Sequence, residues 1–152
     1  PQAGDANDAD HAVLAGAAAV DGGVPDATTI AFAVVLFLWT PPHFWSLAIA
    51  YRDDYAAARV PMLPVVVGDA AAARAVFVGA AMLVAASIVP AFLGLSWLYA
   101  AAAVGGGALL MLRTAQLALE PTRARALASF HASLIQLSLL IVAAGIEPLL
   151  RA

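Results

Sequence analysis

The chain has 152 residues, 64% of them apolar and only 11% charged, with ten acidic side chains against seven basic ones. Soluble domains carry charge on roughly a quarter of their residues, so this composition excludes an ordinary water-soluble fold and describes an integral membrane protein. The absence of cysteine excludes disulfide frameworks, thiolate nucleophiles and cysteine metal sites, and the acidic balance offers no field that would attract nucleic acid.

Residues 1–27 carry Asp5, Asp8, Asp10, Asp21 and Asp26 and no basic residue. They enclose an apolar run at 13–20, shorter than the roughly 20 residues a membrane helix needs. An acidic leader with a collapsed middle accounts for it as well as the tail of a preceding span does. The chain begins at Pro1, without initiator methionine or signal-peptide pattern, and is expected to be a fragment or one half of a longer protein.

Four segments then reach spanning length. The first, 28–51, follows Pro25-Asp26, a helix-start signal, and contains Pro41-Pro42, which predicts a kink near Thr40. The second covers 75–93, bent or ended by Pro90; the third covers 97–119, with Trp97 and Tyr99 placed as interfacial anchors. The fourth covers 126–146 and is closed by Glu147-Pro148. The fold class is all-α, a polytopic transmembrane helical bundle over residues 28–152. Gly79, Ala80, Ala102, Ala103 and Gly105-Gly106-Gly107 predict close helix approach.

If the four helices alternate through the bilayer, Arg52, Arg59, Arg74, Arg113, Arg123 and Arg125 fall on one side and only Arg151 on the other. Basic residues in short loops stay cytoplasmic. The chain is therefore expected to be a multi-pass protein of the cell membrane, with its Asp53-Asp54 corner in the cytoplasm.

Several residues could carry chemistry. Asp53 and Asp54, beside Arg52 and within reach of Arg59, could hold Mg²⁺, which takes one or two carboxylates when a substrate phosphate completes its shell. Arginines would bind the remaining phosphate oxygens. A solvated loop whose charges only set topology accounts for the same residues. His43, inside the first span, could be a proton donor or acceptor, a ligand to a haem iron or a partner for a polar substrate group. Equally, it could satisfy carbonyls freed by Pro41 and Pro42. Trp39, Phe44 and Trp45 suit packing or an aromatic wall for a flat macrocycle or a carbocation. On the fourth span, His131 and Ser138 share one face, while Ser129, Ser133 and Gln136 form a second polar line; interhelical packing accounts for both.

Trp39-Thr40-Pro41-Pro42-His43-Phe44-Trp45, then Tyr51-Arg52-Asp53-Asp54-Tyr55, then Val60-Pro61-Met62-Leu63-Pro64-Val65-Val66, resembles the protohaem IX farnesyltransferases (haem O synthases). These form a branch of the intramembrane (UbiA-type) prenyltransferase superfamily. Phe130-His131-Ala132-Ser133 resembles the opening of that family's final helix, and the likeness covers about residues 28–150. The resemblance implies nine transmembrane helices around a central cavity and transfer of farnesyl from farnesyl diphosphate to haem B, a substrate and not a resident cofactor. It implies Mg²⁺ on Asp53 and Asp54 as the second of two aspartate motifs, Arg52 and Arg59 on phosphate oxygens, and Tyr55 near the head group. His43 would lie deeper, near the haem or the reacting vinyl, with Trp39 and Trp45 as substrate contacts. The first aspartate motif has no counterpart here. Four spans then read as the C-terminal half of the bundle, inactive alone and partnered by the missing N-terminal half, with haem A synthase as a further partner. Arg59 departs from the family pattern, which often has a small residue or Asn there. A quinone or chlorophyllide prenyltransferase and a non-catalytic helical membrane subunit are the competing functions.

Overall fold

The computed structural model describes residues 26–150, and the acidic run at 1–25 lies outside the described residues. Six helices follow one another: α1 (Ala27–Ala50), α2 (Arg52–Ala57), α3 (Leu63–Val67), α4 (Asp69–Phe92), α5 (Trp97–Leu119) and α6 (Arg123–Leu150). No strand occurs among the described residues. Four of the helices, α1, α4, α5 and α6, are long and apolar enough to cross a membrane. At 1.5 Å per residue, 24 residues of α1 or α4 reach about 36 Å, more than a bilayer's apolar thickness of about 30 Å.

Each boundary has a local cause. Asp26 caps α1, its carboxylate accepting the Thr29 backbone N–H at 2.7 Å. At the other end of α1, Tyr51 leaves helical geometry (φ −118°, ψ 30°). Gly68, at φ 85°, separates α3 from α4. Before α6, the Thr122 hydroxyl accepts the Arg125 backbone N–H at 3.3 Å, and Arg125 pairs with Glu120 at 2.7 Å to close the α5–α6 turn.

The double proline does not end α1, which is helical from Ala27 through Ala50. Two side chains bond backward within this region: Thr40 Oγ1 donates to the Leu36 carbonyl at 3.0 Å and Ser46 Oγ to the Pro42 carbonyl at 2.8 Å. Pro42 is buried, and a Cβ placed on Gly79 of α4 would meet its ring carbons at 3.4 Å. The proline therefore packs against the small-residue face of α4 at a distance that would leave a Cβ on Gly79 in ordinary contact.

Helix α1 packs on α4, α4 on α5, α5 on α6, and α6 returns to α1, closing a ring of four. The core divides into two clusters. One centres on Val35, Leu83, Tyr99, Leu110 and Leu140. The other, built from Ile49, Ala50, Ala72, Val76, Leu117 and Ala126, lies at the end where α1 leaves the bundle. Outward-facing residues are also apolar, with Phe37 59%, Phe92 85% and Leu119 84% exposed. In water such a surface would aggregate; against lipid it is the expected exterior.

Candidate active site

The polar end of the bundle gathers what the sequence scatters. The last turn of α1 ends at Ile49 and Ala50, both buried; Tyr51, Arg52, Asp53 and Asp54 follow at the turn into α2. These residues, with Asp69 of α4, Pro121 of the α5–α6 turn and Arg123 at the start of α6, line a cavity of about 390 Å³. Arg52 Nη1 lies 3.5 Å from Asp69 Oδ2, with the two side chains 44% and 33% exposed. A pair this open and this long contributes at most about 1 kcal/mol, so an incoming anion can draw the guanidinium away. Arg123 sits over the Tyr51 ring, 4.9 Å from its centroid, which fixes a second cation at the cavity without neutralising it. Two arginines, two free-standing carboxylates and one carboxylate behind an arginine suit a phosphorylated ligand that arrives with a cation.

Farther along α1, the polar residues turn toward α6. The His43 ring lies between Trp39 (centroids 4.0 Å apart, planes 22° apart) and Phe130 of α6 (4.4 Å, 25°). His43 Nδ1 is 2.7 Å from Ser133 Oγ. Trp39 Nε1 donates to the Ser133 carbonyl at 3.0 Å. One turn nearer the polar end, Ser46 Oγ and Ser129 Oγ are 2.9 Å apart. The line of Ser129, Ser133 and Gln136 is the buried face of α6, whereas His131 is exposed and its Nδ1 bonds the Leu127 carbonyl one turn back.

The expected site residues thus separate into three places. Arg52, Asp53 and Asp54 line the polar cavity, while Tyr55 and Arg59 are not among its lining residues. Trp39 and His43 face α6. Trp45 lines an apolar cavity of about 350 Å³ between α1 and α4, with Pro41, Pro42, Gly79 and Met82. His43 bonds a hydroxyl of another helix, a third possibility beside substrate binding and the freed proline carbonyls. Sequence reasoning missed Asp69 and did not connect Tyr51 with Arg123. The available signals were an acid directly after Gly68 and an arginine opening the last span. Arg59 has φ 56° at the end of α2, where its N–H bonds the Ala56 carbonyl and the Val60 N–H reaches the Tyr55 carbonyl. This double hydrogen bond is the Schellman closure, whose left-handed position is ordinarily Gly or Asn.

Comparison with known proteins places these residues in a family context. The UbiA prenyltransferase family matches residues 11–140, beginning upstream of the point where the motifs are legible. A protoheme IX farnesyltransferase 2 of Paramagnetospirillum magneticum is 51% identical over 140 residues, 91% of this chain and 48% of that protein. A protoheme IX farnesyltransferase of Gloeobacter violaceus is 42% identical over 136 residues, 88% of this chain and 44% of that protein. One from Haloarcula marismortui is 39% identical over 90% of this chain and 29% of its own length. The chain spans about half the length, or less, of the curated relatives it matches. No solved structure matches.

Proposed function

The chain belongs to the UbiA prenyltransferase family, and from that premise we propose that it supplies one half of the site of a haem O synthase. Such an enzyme transfers farnesyl from farnesyl diphosphate to a vinyl group of haem B. The names of its relatives support the choice of substrates. The observation that carries the reading is the cavity in which Asp53, Asp54, Arg52 and Arg123 converge at one end of an otherwise apolar bundle.

In this proposal Arg52 and Arg123 bind phosphate oxygens, and Arg52 exchanges Asp69 for the substrate. Among the described residues no group of three or more His, Cys, Asp or Glu could hold a metal ion. Asp53 and Asp54 therefore offer a partial shell, which fits Mg²⁺ when substrate phosphates supply further oxygens. Bound there, Mg²⁺ would neutralise charge on the leaving diphosphate. As the C–O bond breaks, its electron pair leaves with diphosphate; the vinyl π pair then forms the new C–C bond, and water adds to the resulting cation with loss of a proton. The apolar cavity beside Trp45 gives the isoprenoid a surface that keeps water from the allylic cation. The Asp53-Asp54 corner faces the cytoplasm of a cell membrane, and haem A synthase is the partner that would consume the product.

The test uses cells lacking their own haem O synthase, carrying either this chain alone or this chain joined to the N-terminal half of a relative. Their haem extract is resolved by chromatography and mass spectrometry. Haem O from the joined form only is the expected result. Haem O from the chain alone would refute the half-site. None from either, with stable inserted protein, would favour a non-catalytic membrane subunit.

A further inference from the structure

We infer that His43 ligates the metal of a metalloporphyrin through Nε2, with Ser133 as the positioning residue that fixes the required tautomer. The inference rests on the haem reading above for the identity of the porphyrin, but its geometry is independent of farnesyl transfer.

Ser133 Oγ has two close polar neighbours, His43 Nδ1 at 2.7 Å and the Phe130 carbonyl oxygen at 2.7 Å. A hydroxyl has one proton, and a carbonyl can only accept. If that proton pointed at Nδ1, two oxygen lone pairs would face each other at 2.7 Å with nothing between them. The proton therefore lies toward Phe130, Nδ1–H donates to Ser133, and Nε2 of the neutral ring keeps its lone pair. This is the arrangement of a metal-binding imidazole, whose other ring N–H is held by an oxygen acceptor that sets tautomer and orientation.

The surroundings select the kind of metal. His43 is 7% exposed. Its Nε2 makes no hydrogen bond among the described residues, yet it is not one of the fully enclosed unpartnered atoms such as Asp69 Oδ1 or the Gln136 amide. Trp39 and Phe130 cover both ring faces, leaving approach in the ring plane, the direction of the lone pair. A bare ion needs several protein donors, and among the described residues no group of three or more His, Cys, Asp or Glu is placed to hold one. A porphyrin already supplies four nitrogens and needs one axial ligand. His43 also precedes Tyr51 by eight residues, about 12 Å along the helix, which separates it from the phosphate end.

The test titrates the full chain in lipid nanodiscs with ferric haem, and in parallel with metal-free protoporphyrin. Absorption and electron paramagnetic resonance report the axial ligand, and ¹⁵N NMR of labelled histidine reports the tautomer before haem is added. The chain contains three histidines, so a variant carrying His11→Ala and His131→Ala serves as background. That background is expected to show the Nδ1–H tautomer and an imidazole-ligated iron spectrum. His43→Ala should abolish the spectrum. Ser133→Ala should weaken haem binding about 10- to 100-fold and mix the tautomers, with Ser133→Thr restoring both; binding of the metal-free porphyrin should not respond to Ser133. An Nε2–H tautomer in that background, or an unchanged iron spectrum when His43→Ala is added to it, overturns the inference even if Ser133→Ala fails to fold. Haem O production by the joined form without histidine ligation would sink this proposal alone. Ligation without haem O would sink the other.

Discussion

A left-handed backbone at the end of a helix favours glycine because a Cβ there crowds the neighbouring carbonyl, and Arg59 occupies such a position at φ 56°. Arg59→Gly is expected to stabilise the protein by about 1 kcal/mol, read as a raised melting temperature in detergent; a lowered one would mean the arginine side chain contributes more than the backbone loses. Asp54→Ala in the joined form should reduce haem O output about 100-fold if its carboxylate serves the diphosphate site, and undiminished output would remove it from that role. Asp26 provides a pH signature outside the span. Hydrogen bonds from the Thr29 side chain and then its backbone N–H hold its carboxyl below the ordinary value. A depressed folded pKa gives a contribution present above the unfolded value, about 3.9, and lost as pH falls through the folded one. Protection of the Thr29 amide against exchange should fall in that acidic window and stay flat in Asp26→Asn, which caps without titrating.

At the scale of the helix, apolar length made the four spans legible, because a bilayer demands about 20 residues whatever the tertiary contacts. Their ends were less so. Helix α4 starts at Asp69 and not near residue 75: Asp69 and Arg74 lower the hydropathy of its first turns, whose four alanines between them are nonetheless strong helix formers. The segment holding Pro41 and Pro42 reads as one span in the sequence, and α1 is helical throughout it, because a missing N–H can be tolerated where neighbouring packing and side-chain bonds support the helix. Small residues were visible, but not which ones touch. A Cβ on Gly107 would lie 2.8 Å from Val84 Cγ1, whereas one on Gly105 meets nothing within 4 Å. Gly107→Ala should therefore destabilise the α4–α5 contact by about 1–3 kcal/mol. Gly105→Ala should be neutral or better, by up to about 1 kcal/mol of helix propensity. Unfolding of both variants in mixed micelles measures the contrast, and equal effects would contradict this packing.

For the molecule as a whole, the motif around Asp53 and Asp54 could be read from adjacent residues, but Asp69 and Arg123 join it only when α4 and α6 close the ring with α1. No one-dimensional spacing encodes that closure. The same ring puts the α2 region and the α4–α5 turn at opposite ends of one span. Because the chain has no cysteine, single substitutions report sidedness directly. In right-side-out cells, Leu93→Cys should react with an impermeant maleimide, and Ala57→Cys only after the membrane is opened. The reverse pattern would invert the proposed orientation.

The contact that closes the ring also imposes a schedule. His43 and Ser133 are 90 residues apart. At a synthesis rate of about 5–20 residues per second, the later residue is made roughly 5 to 20 seconds after the earlier one. Throughout that interval α1 lacks the Phe130 face and hydroxyl that set its imidazole. A nascent chain therefore cannot hold its histidine ready before α6 arrives, and synthesis of that helix is itself the gate that delays assembly of this pair until the two helices can meet.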